Sequence, residues 1–469
     1  MAEVTCPGCV ERDERIAALE RRVAELEALV RDLTARLGTN ASNSSTPPSA
    51  NPPQAPEPVV KTPTGKKPGA QPGHPPHLKR RLPHPRVTRT IDFVPHSCDR
   101  CHEPLPPHAG PGDPAPTWHQ VAELPAVAAG VTEYRGRYRT CPCRGALNHA
   151  VIPADLRAHS VGPRLAATLA YLAGCHAVSK RGLEEIAEAV FEVPVALGTV
   201  SHLEEQMSAA LAAPHAAALE AVRRAEAKHV DEAGRKQAGQ RRWLWLAATA
   251  TVAAFLVHVG RGFAALKARL GRGVIGILCS DRWSVYDKWP LYRRQVCRAR
   301  LRRDSQKLVD RGGPAAPLGR SLLALAQRIF EAWHLFRGGG CSRKGLQDRP
   351  GPDAKTFERV LKRGRRCADA KAAAFCGSVL ALLPAVWRFV LVDGVEPTNN
   401  HAERLLRRGV LWRKNAFGCH SARGRRFVER IPTAVQTLRL QGRPVLRYLS
   451  EALLAHRNGS QAPSLLPLG

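Results

Sequence analysis

The stretch KHVDEAGRKQAGQRRWLWLAATATVAAFLVHV, residues 228–259, contains three consecutive runs with the composition of β-strands. The first run ends at Asp231, and the next two occupy residues 243–249 and 252–259. Tryptophan, leucine, valine, alanine and phenylalanine dominate these two runs, and little separates them, so they predict a hairpin or meander. This stretch therefore predicts the beginning of a β-sheet.

The residues that follow add a helix and further strands. GFAALKARL predicts a helix, GVIGILCSDR from Gly273 predicts an apolar strand ending at Asp281, and RRQVCRARL from Arg293 is compatible with one more strand. Strand, strand, strand, helix, strand is the order in which ribonuclease H-like domains begin. We therefore expect an α/β fold whose first and fourth strands are neighbours, with Asp231 and Asp281 at adjacent strand ends.

Two carboxylates at adjacent strand ends suit a magnesium site. Mg²⁺ takes oxygen ligands and keeps several waters, so a few carboxylates and a substrate phosphate can hold it. A pair of such ions about 3.5–4 Å apart would assist in-line phosphoryl transfer. The alternative is structural, since aspartate is frequent where strands become loops. Glu232 faces the opposite side of a strand from Asp231, so only one of the two can join the site.

The composition indicates a polyanionic partner. Lys and Arg number 71 against 40 Asp and Glu, a formal net charge of +31, and phosphate neutralisation supplies most nucleic-acid affinity. We find no apolar run of about twenty residues and no signal peptide, so no membrane partner is expected. Thirteen cysteines without a secretory signal indicate reduced thiols and metal ligands. We expect a cytoplasmic, nucleoid-associated protein.

A third carboxylate lies in TNNHAERLLRRGVLWRKN, residues 398–415, where Glu403 is the single acidic residue. A local interpretation pairs Glu403 with Asn400 in a capping box and with Arg407 across one helical turn. The alternative is that Glu403 completes the metal site while its cationic neighbours hold phosphates. Phosphate contacts, or for some a solvated basic face, are expected from Arg404, Arg407, Arg408, Arg413, Lys414, Arg423, Arg425 and Arg426.

Five segments carry a resemblance to a known family. HVDEAG, WLWLAAT, SDRWSVY, EPTNNHAERLLRRGVLWRKNAFG and RGRRFVERI resemble the large transposase of the insertion-sequence sixty-six (IS66) family. The resemblance implies a transposase of a bacterial insertion sequence with a ribonuclease H-like fold. Its Asp-Asp-Glu triad would bind Mg²⁺ (or Mn²⁺), cleave DNA at the element ends and transfer strands to a target DNA. Matching the motifs gives Asp231, Asp281 and Glu403, which are 50 and 122 positions apart. Companion proteins of the element are further candidate partners.

The chain departs from the family's pattern at two places. DEAGR places Arg235 where relatives usually have tryptophan, and Cys297-Arg298-Ala299-Arg300 stands where they usually have Cys-Trp-Ala-His. A histidine near metal ions can transfer protons or bind phosphate, whereas Arg300 retains only the phosphate role. Two alternatives therefore stay open: a catalytically impaired or repressor copy that binds DNA, and a structural zinc-ribbon assembly factor.

An N-terminal heptad pattern predicts self-association. Its early a positions are β-branched and every d position is leucine, which favours parallel two-stranded coiled coils. We expect a homodimer or higher oligomer through this segment; the alternative is a single amphipathic helix packed on its own domain. The apolar residues, in steps of three and four, are Ile16, Leu19, Val23, Leu26, Val30, Leu33 and Leu37.

Four cysteines predict a zinc ribbon-like module. Cys98 and Cys101 have the usual two-residue gap, and Cys141 and Cys143 have a less usual one-residue gap. Structural Zn²⁺ held by these thiolates is the expected cofactor, and reduced surface thiols are the alternative. Imidazoles that could substitute for a thiolate belong to His96, His102 and His149.

The expected organisation has six segments. They are a coiled coil over 10–37, a disordered Pro/Ser-rich basic linker over 38–86, the zinc ribbon-like module over 87–152, a helical domain over 155–227, the catalytic domain over 228–430 with a helical insertion over 317–390, and a C-terminal helix and tail over 431–469. Within 155–227 two amphipathic runs are compatible with a helix-turn-helix, and equally with plain helix packing.

Overall fold

The structure is a computed structural model that describes residues 7–37, 81–124, 127–271, 275–416 and 419–467. The chain divides into two units, one spanning 57–128 and the other comprising 1–56 and 129–469. Most of the expected linker, up to residue 80, lies outside the described residues.

The smaller unit has little regular structure among its described residues. A 3₁₀-helix spans His84–Arg86, and an isolated β-bridge joins Ser97 to Pro104. The Leu82 backbone and the Gln120 side-chain amide exchange two hydrogen bonds, of 2.8 and 3.3 Å. Its described residues contribute to none of the hydrophobic core clusters.

The first part of the larger unit is mainly helical. Strands β1 (Tyr138–Thr140) and β2 (Leu147–His149) form an antiparallel pair. None of the described helices of the chain is long and apolar enough to cross a membrane. The helices of this part are α1 (Pro7–Leu37), α2 (Ala154–Arg157), α3 (Pro163–His176), α4 (Lys180–Phe191), α5 (Leu197–Ala210) and α6 (Ala212–Arg224).

A five-stranded mixed sheet positions the candidate site. The order across it is β5-β4-β3-β6-β7, with β3–β4 and β4–β5 antiparallel and β3–β6 and β6–β7 parallel. The expectation that the first and fourth strands of this sheet are neighbours is therefore confirmed. The strands are β3 (Ala227–Gln237), β4 (Gln240–Ala248), β5 (Ala253–His258), β6 (Ile277–Ser280) and β7 (Arg294–Val296).

Two expected strand boundaries are wrong. β3 does not end at Asp231 but continues to Gln237, because the chain turns only at Ala238 and Gly239. Both turn residues have positive φ, of 47° and 75°, as a two-residue type I′ hairpin requires. Farther along, RRQVCRARL is not one strand, since β7 is short and a helix begins at Arg298.

Most of the remaining chain before Glu403 is helical. Helix α7 (Phe263–Leu270) joins β5 to β6, and 3₁₀-helices at Ser284–Lys288 and Leu291–Arg293 precede β7. The helices after β7 bury a hydrophobic cluster of their own, which is why a long insertion can fold beside the sheet. They are α8 (Arg298–Arg311), α9 (Ala315–Arg337), α10 (Arg343–Asp348), α11 (Gly351–Gly364), α12 (Ala370–Ala381), α13 (Leu383–Val386) and α14 (Arg388–Leu391).

Three helices complete the described chain: α15 (Asn400–Ala416), α16 (Ala422–Leu440) and α17 (Val445–Arg457). The domain boundary expected after residue 430 thus falls inside α16. Helix α15 lies directly on the sheet. At Gly409 an added Cβ would stand 2.5 Å from Cδ2 of Leu244, so a larger residue there would require the Leu244 side chain on β4 to move.

Helix α16 covers the outer edge of β5. Alternate strand residues are about 6.6 Å apart, and every fourth helix residue is about 6 Å along the axis, so the two spacings nearly match. An open sheet edge invites pairing with other chains, and α16 removes this hazard. Three backbone N–H groups of β5 donate to side chains of α16: Ala253 to Thr437 at 3.0 Å, Phe255 to Thr433 at 2.9 Å and Val257 to Glu429 at 2.8 Å.

Candidate active site

Asp231 and Asp281 lie on neighbouring strands in matching register. β3 and β6 pair in parallel, with Ala227 opposite Ile277. This register joins residues 50 positions apart, and the two aspartates are also 50 positions apart. The ladder stops just before them, so Asp281 follows the end of β6 whereas Asp231 lies inside β3. Their juxtaposition therefore comes from register, and only Asp281 stands at a strand end.

Glu403 lies in the first turn of α15, and Asn399 fastens the start of this helix to β3. Asn399 is 2% exposed. Its Nδ2 donates to the Val230 carbonyl at 2.8 Å, and its Oδ1 lies 3.1 Å from His229 Nδ1. Its backbone N–H donates to Cys297 Sγ at 3.1 Å. These bonds hold the chain four residues before Glu403 against the strand that carries the first aspartate.

The local interpretation of Glu403 is wrong. In the described structure its carboxylate bonds neither to Arg407 nor back to the Asn400 N–H. It accepts instead from Nη2 of Arg303 on α8, at 3.3 Å. Sequence reasoning missed Arg303 and Asn399; the doubled asparagine in TNNHAE was a signal for the second of these, and nothing marked the first.

The carboxylates repel one another at this place. Burial, followed by the charges of Glu232, Glu403 and Asp281, raises the pKa of Asp231 to about 8, whereas an ordinary aspartate has a pKa of about 3.9. A divalent cation would relieve this repulsion, so the oxygen donors fit such an ion in charge and in chemistry. Among the described residues, however, no three Asp, Glu, His or Cys side chains form a group that could hold a metal.

Glu232 makes its side-chain hydrogen bonds in an aromatic network, although its charge still reaches Asp231 and Asp281. Its side chain, 3% exposed, accepts from Arg261 at 2.8 and 3.0 Å and from the Tyr286 hydroxyl at 2.7 Å. The Arg261 guanidinium lies 3.9 Å from the Trp283 ring centroid and 4.7 Å from that of Trp243. Burial raises the pKa of Glu232, and the bonds from Tyr286 and Arg261 oppose that rise. The cross-strand partners of Asp231 and Glu232 are Leu246 and Trp245, and the bonds of Glu232 link β3 to Arg261 and Tyr286.

Arg294 organises the loop that carries Asp281. This fully buried residue of β7 donates to the Asp281 carbonyl at 2.9 Å, to Asp287 Oδ1 at 2.7 Å and to Ser280 Oγ at 3.2 Å. The Trp283 N–H donates to Asp281 Oδ1 at 2.9 Å. The carboxylate is therefore oriented by its own turn. Sequence reasoning missed Arg294, because a cation within a short strand carries no periodic signal.

Residues 159–426 match the family described as Transposase IS66 family. The matched segment is more than half of the chain and contains all three carboxylates. The chain belongs to the IS66 transposase family. Membership implies a transposase of an insertion element that acts on DNA and uses a divalent metal ion. Residues 8–80 match a family of unknown function (DUF6444). No curated protein matches the chain.

The transposase buries an arginine at both positions where the resemblance led us to expect tryptophan. Arg235, 4% exposed, donates to Cys419 Sγ at 3.3 Å and lies 5.4 Å from the Trp412 ring centroid. Arg298, 3% exposed, lies 3.9 Å from the Trp387 ring centroid. Burial lowers the pKa of both guanidiniums, that of Arg298 to about 9. Among the described residues neither has an ion-pair partner; Arg298 Nε donates to the Val386 carbonyl at 3.2 Å, and both guanidiniums also have cation–π contacts.

Arg300, where relatives usually have histidine, contacts a structural carboxylate of the transposase. Its Nε lies 3.9 Å from Oδ1 of the buried Asp304. Asp304 also pairs with Arg282 at 3.2 Å and with Lys307 at 2.9 Å. The cation that reaches the triad from this helix is Arg303, one turn after the expected histidine position.

The basic residues expected to contact DNA lie on two helices. On α15, Arg413 donates to the Gly234 carbonyl. On α16, Arg423 pairs with Glu205 at 3.3 Å, and Arg425 is partly buried. The exposed members of the set are Arg404, Arg407, Arg408, Lys414, Arg423 and Arg426. The structure thus leaves most of these cations accessible to a phosphate backbone.

The cysteines expected to bind zinc lie in two turns, one in each unit. The Cys101 and Arg100 N–H groups lower the pKa of the Cys98 thiol, and N–H groups that follow Cys141 lower the pKa of that thiol. The Arg100 nitrogen is 3.5 Å from Cys98 Sγ. Backbone donors directed at sulfur favour the thiolate, which is the form that binds metal.

Proposed function

We propose that this transposase cleaves DNA at the ends of its element and joins those ends to a target, with Asp231, Asp281 and Glu403 as metal ligands. One observation carries the proposal. Each paired residue of β3 lies opposite the residue of β6 that is 50 positions later in the chain, and Asp231 and Asp281 are also 50 positions apart. The effect of Glu403 on the Asp231 pKa supports its inclusion.

We infer that the catalytic segment is ribonuclease H-like. Its support is the sheet order β5-β4-β3-β6-β7 with three antiparallel strands followed by two parallel ones. The helix that carries Glu403 packs on the same sheet, after a helical insertion. This topology explains how residues 122 positions apart can meet at one place.

The residues of the chain would divide the work at the reacting phosphate. Bound Mg²⁺ (or Mn²⁺) supplies activation of the attacking oxygen and stabilisation of the leaving one. Asp231 presents its carboxylate from β3, and Arg294 holds the loop that carries Asp281, so both carboxylates would be fixed in position. Asn399 holds α15, and with it Glu403, against β3. Arg303, next to Glu403, is placed to neutralise a phosphate oxygen.

Strand cleavage by the full-length protein tests the proposal. The substrate is DNA carrying the element ends, which inverted repeats flanking the coding region would identify. We expect nicks when Mg²⁺ or Mn²⁺ is supplied and none when a chelator withholds it. Cleavage that persists in chelator would contradict metal-assisted chemistry at the triad.

A catalytically impaired DNA-binding copy is the second candidate. It is favoured by Arg300, which stands at an expected histidine position and contacts Asp304 rather than the triad. Tight binding of end DNA without cleavage in either metal would support this candidate. The third candidate is a zinc-ribbon assembly factor, which would bind zinc but would not bind end DNA tightly.

We also propose a structural Zn²⁺ held by Cys98, Cys101, Cys141 and Cys143, within the module expected over 87–152. The backbone donors directed at two of these thiols support it. Metal analysis after reducing, chelator-free purification should find one zinc per protomer. Absence of zinc in that preparation would contradict the ribbon.

Self-association through residues 10–37 is a further part of the proposal. Its support is the apolar stripe of α1, whose described side chains Ile16, Leu19, Val23, Leu26 and Val30 are all exposed. A coiled coil would bury this stripe against another copy. Removing residues 1–37 should leave a folded monomer in light scattering, and an unchanged oligomer would contradict this role.

A further inference from the structure

A cationic groove lies at the far end of the β3–β4 hairpin, against the last turns of α15. Its volume is about 540 Å³, and two glycines leave its backbone accessible. Among the described residues that line it, none is acidic. A cluster of like charges in a concave site attracts a polyanion strongly. The cations that line this groove are Arg235, Lys236, Arg241, Arg413 and Lys414.

The walls of the groove are fastened together. The Ala238 N–H at the hairpin turn donates to the Cys419 carbonyl at 2.9 Å, and the Cys419 N–H donates to the Lys236 carbonyl at 3.3 Å. Arg413 of α15 donates to the Gly234 carbonyl of β3. The hairpin, the end of α15 and the segment after it therefore hold a fixed arrangement, which reduces the entropy lost when a ligand binds.

Arg235 forms the buried part of this groove. It is one of the fourteen polar or charged residues among those described that are buried, and its Nε has no hydrogen-bond partner. Glu429, the carboxylate whose charge reaches Arg235, already accepts from the Val257 N–H. A buried guanidinium without an ion-pair partner is costly unless an anion approaches it. The position that departs from the family's pattern thus contributes to a built anion site.

The groove and the triad lie along one track. From Asp231 to Arg235, which lie on the same face of β3, is four strand residues, about 13 Å, and from Glu403 to Arg413 is ten helix residues, about 15 Å. The two elements run in the same direction, since Glu403 influences Asp231 at one end and Arg413 bonds to Gly234 at the other. One DNA strand has a phosphate about every 3.4 Å along the helix axis, so the track spans about four nucleotides.

We propose that this groove binds the phosphodiester backbone of the DNA strand that enters the triad, about four to five nucleotides from the reacting phosphate. The inference rests on the proposed function for its ligand and adds the hairpin residues Arg235, Lys236 and Arg241 to the binding surface. Arginine, lysine and glycine line the groove, without the amide side chains that commonly read adenine. Arginine and lysine can also read guanine, but contacts confined to the phosphate backbone carry no sequence information, so we expect this groove to bind DNA without regard to sequence.

The test measures DNA affinity against salt for the full-length protein, in chelator, so that cleavage plays no part. The variant is Lys236→Gln with Arg241→Gln and Lys414→Gln; all three side chains are exposed, so the fold should survive. Each phosphate contact contributes about 0.9 to the slope of log affinity against log salt. We expect the slope to become less steep by about two to three, equally on end DNA and on unrelated DNA.

A matched triple variant controls for net charge. Lys355→Gln, Arg359→Gln and Arg366→Gln remove three exposed cations of the helical insertion and should change the slope by less than one. Equal changes in the two triple variants would overturn the groove, because position would then be irrelevant. A loss confined to end DNA would also overturn it. Failure of metal-dependent cleavage would overturn the proposed function and leave this binding result unaffected.

Ethylation interference maps the contacted phosphates on end DNA. Ethyl groups about four to five nucleotides from the element end should weaken binding of the unaltered protein and should have little further effect on the groove variant. Interference that is identical for the two proteins would contradict the assignment.

Discussion

The two ends of the β3–α15 pair carry opposite charge and use the same scaffold differently. At one end burial, followed by the charges of Glu232, Glu403 and Asp281, raises the pKa of Asp231 to about 8. At the other end, about 15 Å along the helix, Arg413 and its neighbours line a groove without a described acidic residue. Each end concentrates charges of one sign. A bound cation would stabilise the carboxylate end, and a bound anion would stabilise the cationic groove. From this difference we expect chemistry and affinity to be separable in this protein.

The largest expected effect is at the carboxylate end. Glu403→Gln should lower metal-dependent cleavage about a hundredfold or more, because loss of a ligand oxygen removes several kcal/mol of transition-state stabilisation. DNA binding should stay the same or tighten slightly, since a negative charge has been removed from a basic face. Cleavage of labelled end DNA and anisotropy binding measure the two effects.

The matched control is Glu451→Gln. Glu451 is likewise a partly exposed helical glutamate with an arginine partner, Arg447, at 2.8 Å. Its replacement should alter neither cleavage nor binding appreciably, since an exposed pair contributes about 0.3–0.5 kcal/mol. Similar cleavage rates for the two variants would remove Glu403 from the metal site.

The cationic end should give the converse kinetic pattern. The variant Lys236→Gln with Arg241→Gln and Lys414→Gln should raise the DNA concentration for half-maximal cleavage about tenfold or more. Its maximal rate should remain within about twofold, because these contacts are made equally in the ground and transition states. A maximal rate that falls as far as that of Glu403→Gln would show that the two ends are not separable.

A smaller effect is expected on stability. The folded protein retains the Asp231 proton up to about pH 8, whereas an unfolded aspartate releases it near pH 4. The stability that this proton confers is therefore present at low pH and is lost as pH rises towards 8. Asp231→Asn should flatten this dependence and, in chelator, make the protein about 1 kcal/mol more stable at pH 8. Thermal unfolding across pH measures it.

Thermal unfolding with added Mg²⁺ provides a second test of Asp231. Added Mg²⁺ should raise the melting temperature of the unaltered protein, because binding to the folded state stabilises it, and should have less effect on Asp231→Asn. Asp348→Asn, at an exposed helical position, serves as the control and should behave as the unaltered protein. A less stable Asp231→Asn at pH 8 would mean that the carboxylate is a structural hydrogen-bond partner.

The smallest expected effect is at Arg300. Its distance of 3.9 Å from Asp304 makes a weak, partly exposed pair, so Arg300→His should change the free energy of unfolding by less than about 0.5 kcal/mol. Cleavage should change less than about threefold, because Arg303 rather than Arg300 contacts the triad. A tenfold gain in cleavage would instead identify Arg300 as the lesion of an impaired copy.

Much of the sheet could be predicted because its strands are apolar runs between turn residues. The runs that became β4 and β5 were found nearly in full, whereas β3 was cut short at Asp231. Its second half, with Arg235 and Lys236, is too polar to register as a strand by composition. Tertiary pairing with β4 and the hairpin at Ala238 extended it, and that extension places the groove.

The sequence by itself determined the family, the basic character of the chain and the carboxylates worth testing, since these depend on residue identity and spacing. Only the tertiary structure decided that β3 pairs with β6 so that opposite residues are 50 positions apart, which brings Asp231 beside Asp281. It also decided that Asn399 bridges to β3 and that Arg235 lies buried at a groove. Local patterns report which residues are buried or turned, but not which distant strand, helix or ring each one meets. Those partners are selected when the whole core packs, and this is why Glu403 met Arg303 rather than its helical neighbour.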